Sequence, residues 1–211
     1  MTKLSLKGLF ITLEGGEGSG KTTLAEGLRR YLEAKGCKVL VTREPGGTEL
    51  GEKIRSLLLH KDDFSLTARA ELFLFLAART QHLEEVIIPA LKKGMCVICD
   101  RFNDSTIAYQ GGGRKLGVEY VSSTILSATG GIEPHLTFFL DIDPSVGKKR
   151  IQKREQTIDR IEKEADAFHK RVRSTFLRLA KEYPKRIFCI DATQTKEEVF
   201  NSAKKRLTLG T

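Results

Sequence analysis

Five short apolar runs punctuate the chain, at residues 9–13, 38–42, 95–99, 136–140 and 186–190, and long stretches with apolar residues at helical spacing separate them. Unbroken runs of this kind, rather than alternating ones, predict the strands of a parallel sheet covered on both faces. The intervening pattern predicts helices over 22–35, closed by Gly36, and over 48–59, capped by Thr48. A long helix over 65–91 follows, with Pro89 kinking or ending it and Gly94 closing it. Further helices are expected over 103–110, ended by Gly111, Gly112 and Gly113, and over 118–128. The last ones start at Pro144 and cover 162–182 and 196–207. The fold class is therefore α/β, a five-stranded parallel sheet with helices on both faces. No repeat, low-complexity tract or linker divides the 211 residues, so one domain is expected.

Every apolar run ends in charge: Glu14, then Arg43 and Glu44, then Asp100 and Arg101, then Asp141 with Asp143, and last Asp191. Ligands of open parallel sheets lie beyond the carboxyl ends of the strands, so these five ends should surround one site. The first run leads directly into Gly15-Gly16-Glu17-Gly18-Ser19-Gly20-Lys21-Thr22-Thr23, which fits the spacing of a phosphate-binding P-loop. Glycines let successive backbone N–H groups turn inward on phosphate oxygens, and the following helix adds its dipole. Lys21 is placed to reach the β- and γ-phosphates, and the Thr22 hydroxyl to ligate Mg²⁺. A P-loop NTPase-type sheet with a small mobile lid is the architecture this predicts.

Composition narrows the setting more than the chemistry. Hydrophobic content of 40% and charged content of 30% suit an ordinary globular protein. No apolar stretch approaches 18 residues and no signal-peptide pattern opens the chain, so no membrane partner and a cytoplasmic location are expected. A net charge of +9 fits either nucleic acid or small phosphorylated ligands. Much of the excess is local, with six basic and two acidic residues over 148–160, and no basic stripe is visible; nucleic acid is not an expected partner. Cys37, Cys96, Cys99 and Cys189 lie in or beside apolar runs and read as small buried hydrophobes. Residues three apart on a strand face opposite ways, which stops Cys96 and Cys99 from sharing a metal.

Other positions add chemistry, each beside a plainer alternative. Asp100 sits where a carboxylate holds a water of the Mg²⁺ shell, and Arg101 follows where a hydrolase often carries a second acid. An arginine there points to a second phosphorylated substrate, because transfer between two anions needs cations between them; the alternative is a surface ion pair. Phe75 and Arg79 share a helix face and form an aromatic plate beside a guanidinium, or else belong to the core. Thr106, Tyr109 and Gln110 supply a hydroxyl, a ring and an amide near the site, or face solvent. Residues 148–162 form either a flap that closes on phosphates and excludes water or a solvated basic helix.

Several stretches together resemble the thymidylate kinase family: residues 10–23, Thr42-Arg43-Glu44-Pro45-Gly46-Gly47-Thr48, 70–79, 100–106, Ala108-Tyr109-Gln110-Gly111 and Asp159-Arg160-Ile161-Glu162. The resemblance implies transfer of a phosphoryl group from ATP to dTMP, with Mg²⁺, in a homodimer. By position, it implies that Phe75 stacks on thymine and Arg79 bonds its edge, with Thr106 and Gln110 near the base. Tyr109 is implied to crowd the sugar 2′ position, Glu17 to approach the 3′-hydroxyl, Arg55 and Arg101 to meet the dTMP phosphate, and Glu44 to lie near that phosphate and the metal. Gly18 and Ser19 occupy the places where one group of the family carries a basic P-loop residue. The sequence thus resembles the bacterial-type group, whose catalytic arginine comes from the lid. Among Arg150, Lys153 and Arg154, the choice falls on Arg154. The state of the bond before Pro45 is open at this level.

Rivals remain in other classes. A guanine-nucleotide switch is disfavoured because no Asn-Lys-x-Asp motif occurs in the chain. A kinase for a different pyrimidine monophosphate is the nearer alternative.

Overall fold

The computed structural model describes residues 8–59, 65–152 and 159–209. Five strands, β1 (Phe10–Glu14), β2 (Val39–Arg43), β3 (Cys96–Asp100), β4 (Leu136–Asp141) and β5 (Ile187–Asp191), form one sheet. Their order is β2-β3-β1-β4-β5, and every neighbouring pair is parallel. With β1 between β3 and β4, the order reverses beside it, and the P-loop leaves the sheet at that switch point.

Strand pleating separates two cores. Leu9, Ile11, Leu13, Cys96 and Ile98 pack against α1 (Lys21–Ala34) and α9 (Lys196–Leu209). Phe10, Val97 and Cys99 face the other way, onto Leu83, Ile87 and Ala90. Cys96 and Cys99 accordingly point into opposite layers. A third cluster, with Phe139, Phe168 and Phe176, seats α8 (Asp166–Glu182). Only the inner strands are covered throughout: β2 and β5 lie at the edges and leave alternate positions open. That corrects the expectation for Cys189, which is exposed on β5.

Three helix boundaries differ from the pattern reading, each for a local reason. The long helix runs as α3 (Ala68–His82), a wide π-helical turn at Leu83–Ile87, and α4 (Ile88–Lys92). The extra residue of the wide turn precedes Pro89, which lacks an N–H, so the helix passes the proline and ends beside Gly94. Next, α5 (Asn103–Thr106) continues as a π-helix over Ile107–Gly113, so the three glycines do not end it. Their role is close packing: a Cβ at Gly112 would strike Thr175, and one at Gly113 would strike Phe168 and Val172 of α8. Finally, residues 162–165 are turn rather than helix. Asp159 Oδ1 accepts from the Ile161 and Glu162 N–H groups at 2.8 Å each, a side-chain turn that competes with a helix.

The remaining helices are α2 (Glu49–Leu59), α6 (Val118–Thr129) and α7 (Pro144–Gln152). No helix among the described residues is long and apolar enough to cross a membrane.

Candidate active site

The P-loop surrounds Lys21. Its Nζ donates to the Gly15 and Gly16 carbonyls at 3.2 and 3.1 Å and lies 3.5 Å from Ser19 Oγ. Burial, reinforced by repulsion from Arg101, pushes the Lys21 ammonium below its ordinary pKa. A bound phosphate offsets both effects, so the residue is poised for an anion. Gly15, Gly18 and Gly20 adopt positive φ, where a side chain would strain the backbone. A Cβ at Gly18 or Gly147 would also meet backbone of the other segment, so α7 rests directly on the loop. Arg150 of α7 reinforces that contact, donating to the Gly18 carbonyl at 3.3 Å and the Ala192 carbonyl at 2.9 Å.

Next to the loop, the Thr22 hydroxyl lies 3.4 Å from Asp100 Oδ2. The other carboxylate oxygen, Asp100 Oδ1, is buried and has no hydrogen-bond partner among the described residues. An orphaned carboxylate oxygen beside a hydroxyl, at the mouth of a phosphate loop, fits a hard divalent cation with oxygen ligands. By contrast, Glu44, His82 and Cys99 bring ligand atoms within 4.8 Å of one another but form a filled network. His82 Nδ1 lies 3.0 Å from Glu44 Oε1 and its Nε2 lies 2.7 Å from Thr42 Oγ1.

A cleft of about 590 Å³ opens across Glu17 from the P-loop, lined by Arg55, Phe75, Arg79, Arg101, Thr106, Tyr109 and Gln110. A larger cavity of about 760 Å³ adjoins Glu17 and Tyr109 on the α7 and α8 side. The smaller one is the better acceptor site because it gathers three arginines around an aromatic ring. Arg79 is 1% exposed: its Nε donates to Glu44 Oε2 at 2.6 Å and its NH1 to Thr106 Oγ1 at 2.9 Å. The guanidinium also lies 5.0 Å from the Phe102 ring. Arg55 donates to the Pro45 carbonyl at 2.9 Å, following a cis Glu44–Pro45 bond. Burial and repulsion from Arg43 lower its pKa.

Arg101 sits at the centre. It has a positive φ of 74°, unusual for a residue with a side chain, so the surrounding contacts must hold it there. Its guanidinium pairs with Glu17, lies 5.0 Å from the Tyr109 ring and donates to the Gly15 carbonyl at 3.0 Å. Burial works against its charge, yet Glu17 outweighs that and raises its pKa. In return, burial raises the Glu17 pKa but Arg101 and Lys21 outweigh it, holding the carboxylate ionised.

The structure thus brings Glu17, Arg55, Phe75, Arg79, Arg101, Thr106, Tyr109 and Gln110 into one cleft, with Lys21, Thr22 and Asp100 beside it. Glu44 also lines the cleft, but Arg79 and His82 engage its two oxygens, so it faces these partners rather than the Thr22–Asp100 corner. Arg154, with Lys153, lies outside the described residues.

Sequence reasoning missed the support beneath this cleft. Glu14 is completely buried, and its carboxyl accepts from the Phe102 N–H at 2.8 Å and from the Ser105 hydroxyl. Ser105 Oγ in turn accepts from Arg101 NH1 at 3.2 Å, so the end of β1 is clipped to the turn that presents Arg101. The signal available in sequence was an acid closing a fully apolar strand. A second missed residue, Glu71, is 1% exposed on α3 and binds Gln110, Arg114 and Arg160.

A P-loop at the switch point of a parallel sheet, facing an arginine-lined cleft for a second anion, defines a P-loop kinase of small phosphorylated substrates. The thymidylate kinase family model matches residues 13–203. The chain is 50% identical to a thymidylate kinase of Protochlamydia amoebophila, over 96% of this chain and 93% of that protein. It is 47% identical to one of Clostridium novyi, over 94% and 97% of the two chains. Among solved structures, the crystal structure of thymidylate kinase from Ehrlichia chaffeensis superposes with a TM-score of 0.75 at 35% identity, covering 94% of this chain and 98% of that one. The chain belongs to the thymidylate kinase family.

Burial, followed by the charge of Asp104, raises the Glu14 pKa from 4.5 to about 8. An acid whose pKa rises on folding favours the folded state most below its unfolded value, and that contribution is lost as pH rises through the folded value. The thermal stability of the native protein relative to Glu14→Gln is therefore expected to decline between about pH 5 and pH 9. Unfolding midpoints of both proteins across that range check it; a constant difference contradicts it.

Proposed function

We infer that this protein transfers the γ-phosphoryl group of ATP to dTMP, giving ADP and dTDP for dTTP synthesis. The observation that carries this reading is the cleft itself: Phe75 with Arg55, Arg79 and Arg101, separated from Lys21 only by Glu17.

In this reading ATP lies along the P-loop, Gly15 to Thr23, with its terminal phosphates at Lys21. The thymine ring stacks on Phe75, and Arg79, held in place by Glu44, meets its edge with Thr106 and Gln110. Tyr109 fills the space beside the sugar 2′ position and Glu17 receives the 3′-hydroxyl. Arg55 and Arg101 hold the dTMP phosphate, whose oxygen attacks the γ-phosphorus in line. A phosphate monoester is already ionised, so positioning and neutralisation of charge suffice without a strong base. Thr22 and Asp100 hold Mg²⁺, which supplies neutralisation of charge on the phosphate oxygens. Arg154 of the lid segment 148–162 supplies a further cation to the transferring group.

The enzyme acts in the cytoplasm, consistent with four free cysteines, and as a homodimer. Support for the dimer comes from the neighbouring helices α2, α3 and α6, which expose Leu50, Leu57, Phe73 and Leu126. Phe73 alone is 51% exposed.

Steady-state kinetics test the acceptor first. ADP release should require dTMP and should be far weaker with UMP or CMP; release that ignores the monophosphate rejects the reading. Lys21→Ala or Arg101→Ala should lower kcat by at least roughly a hundredfold, as for loss of a principal charge-stabilising donor; near-native turnover would remove these residues from the mechanism. Arg79→Ala should mainly raise KM for dTMP and leave KM for ATP close to native, and equal loss for both substrates counts against the base pocket. In sedimentation velocity, Phe73→Glu should convert a dimer into a monomer; unchanged sedimentation places the interface elsewhere.

A further inference from the structure

One buried carboxylate behind the cleft has no part in the phosphate chemistry and yet serves three donors there. Glu71 Oε1 accepts from Gln110 Nε2 at 2.8 Å and from Arg114 Nε at 3.0 Å. Its Oε2 accepts from Arg114 NH2 at 3.0 Å and from Arg160 NH2 at 2.6 Å. Burial pushes the Glu71 pKa up, but the hydrogen bonds from Arg114 and Gln110 outweigh it and leave the pKa below the ordinary carboxylate value. Glu71 is therefore ionised and can only accept.

That fixes the sense of the neighbouring amide. Gln110 is 1% exposed and lines the cleft with Phe75 and Arg79. Its NH₂ must meet the carboxylate, because the reversed amide would set two acceptors against each other with no proton between them. The end left for the cleft is the carbonyl oxygen. An acceptor at this point matches a pyrimidine ring that carries a proton on N3, as thymine does, and opposes cytosine, whose N3 carries a lone pair. Water has little access to repair the mismatch, and a buried acceptor left facing another acceptor is costly.

We propose that Glu71 is a positioning residue that sets base selectivity: by anchoring the Gln110 amide, it turns an acceptor toward the cleft and makes the site favour an N3–H pyrimidine over cytosine. The proposal rests on reading the cleft as the seat of the acceptor base. It also explains why one acid on α3 engages residues 110 and 114 at the far side of the pocket and residue 160 beyond it.

The test compares kcat/KM for dTMP and dCMP, with unfolding midpoints, in native protein, Glu71→Gln, Gln110→Leu, Gln110→Glu and Glu71→Gln/Gln110→Glu. An amide at position 71 can donate, which frees Gln110 to present its NH₂ to cytosine N3. Glu71→Gln should lower the dTMP to dCMP preference by about tenfold or more. Gln110→Glu alone sets two carboxylates together and should lose dTMP activity, and the double variant should recover it, since the new carboxylate accepts from position 71 and from the base. An unchanged preference in folded Glu71→Gln overturns the proposal, whatever the change in midpoint. If that variant does not fold, failure of the double variant to recover dTMP activity over Gln110→Glu overturns it. An unchanged preference in Gln110→Leu instead sinks the base-pocket reading beneath it.

Discussion

Cations crowded into a partly dry space repel one another, and the arrangement around the P-loop depends on buried carboxylates that hold them there. Lys21, Arg55, Arg79 and Arg101 converge beside the carboxyl ends of β1, β2 and β3. Arg101 is held by Glu17 and Arg79 by Glu44, while Glu14 secures the turn that carries Arg101. Removing one member of a buried ion pair leaves the other uncompensated, so these pairs make the positive site possible rather than adding stability as isolated contacts. The substrates then complete the electrostatics, because each phosphate brings the negative charge that Lys21 and Arg55 lack in the free protein.

A division of labour follows along the sequence. Residues that meet phosphate lie on loops leaving the strands, where backbone N–H groups are free. Residues that meet the base lie on helices, where side-chain spacing is regular. Phe75 and Arg79 keep a four-residue separation on α3, and Glu44 at the end of β2 locks the second of them to the sheet. The thymine-reading face and the phosphate-reading rim are thereby built from different elements but share one buried ion pair.

How much of this was legible depended on whether a residue's job shows in local spacing. The strands were readable because apolar runs end in charge, and the P-loop because its glycines and lysine fall at fixed intervals. The residues brought into the cleft were mostly legible through family resemblance, since nothing local marks Arg55 or Gln110. Glu14 and Glu71 were not recognised, because an acid in an apolar stretch shows no partner until Ser105, Arg114 and Arg160 arrive from distant parts of the chain. The glycines at 111–113 misled for the same reason. Their purpose lies in α8, more than fifty residues away, and only tertiary contact separates close packing from helix ending.

The seat of α7 on the P-loop carries a mechanical consequence. Where Gly147 meets Glu17 and Gly18, backbone touches backbone with no side chain to cushion a shift, and Arg150 fastens the same helix to Gly18. A loop that tightens around nucleotide must therefore carry the root of the following segment with it. Donor occupancy and the posture of that helix are geared together rather than set independently.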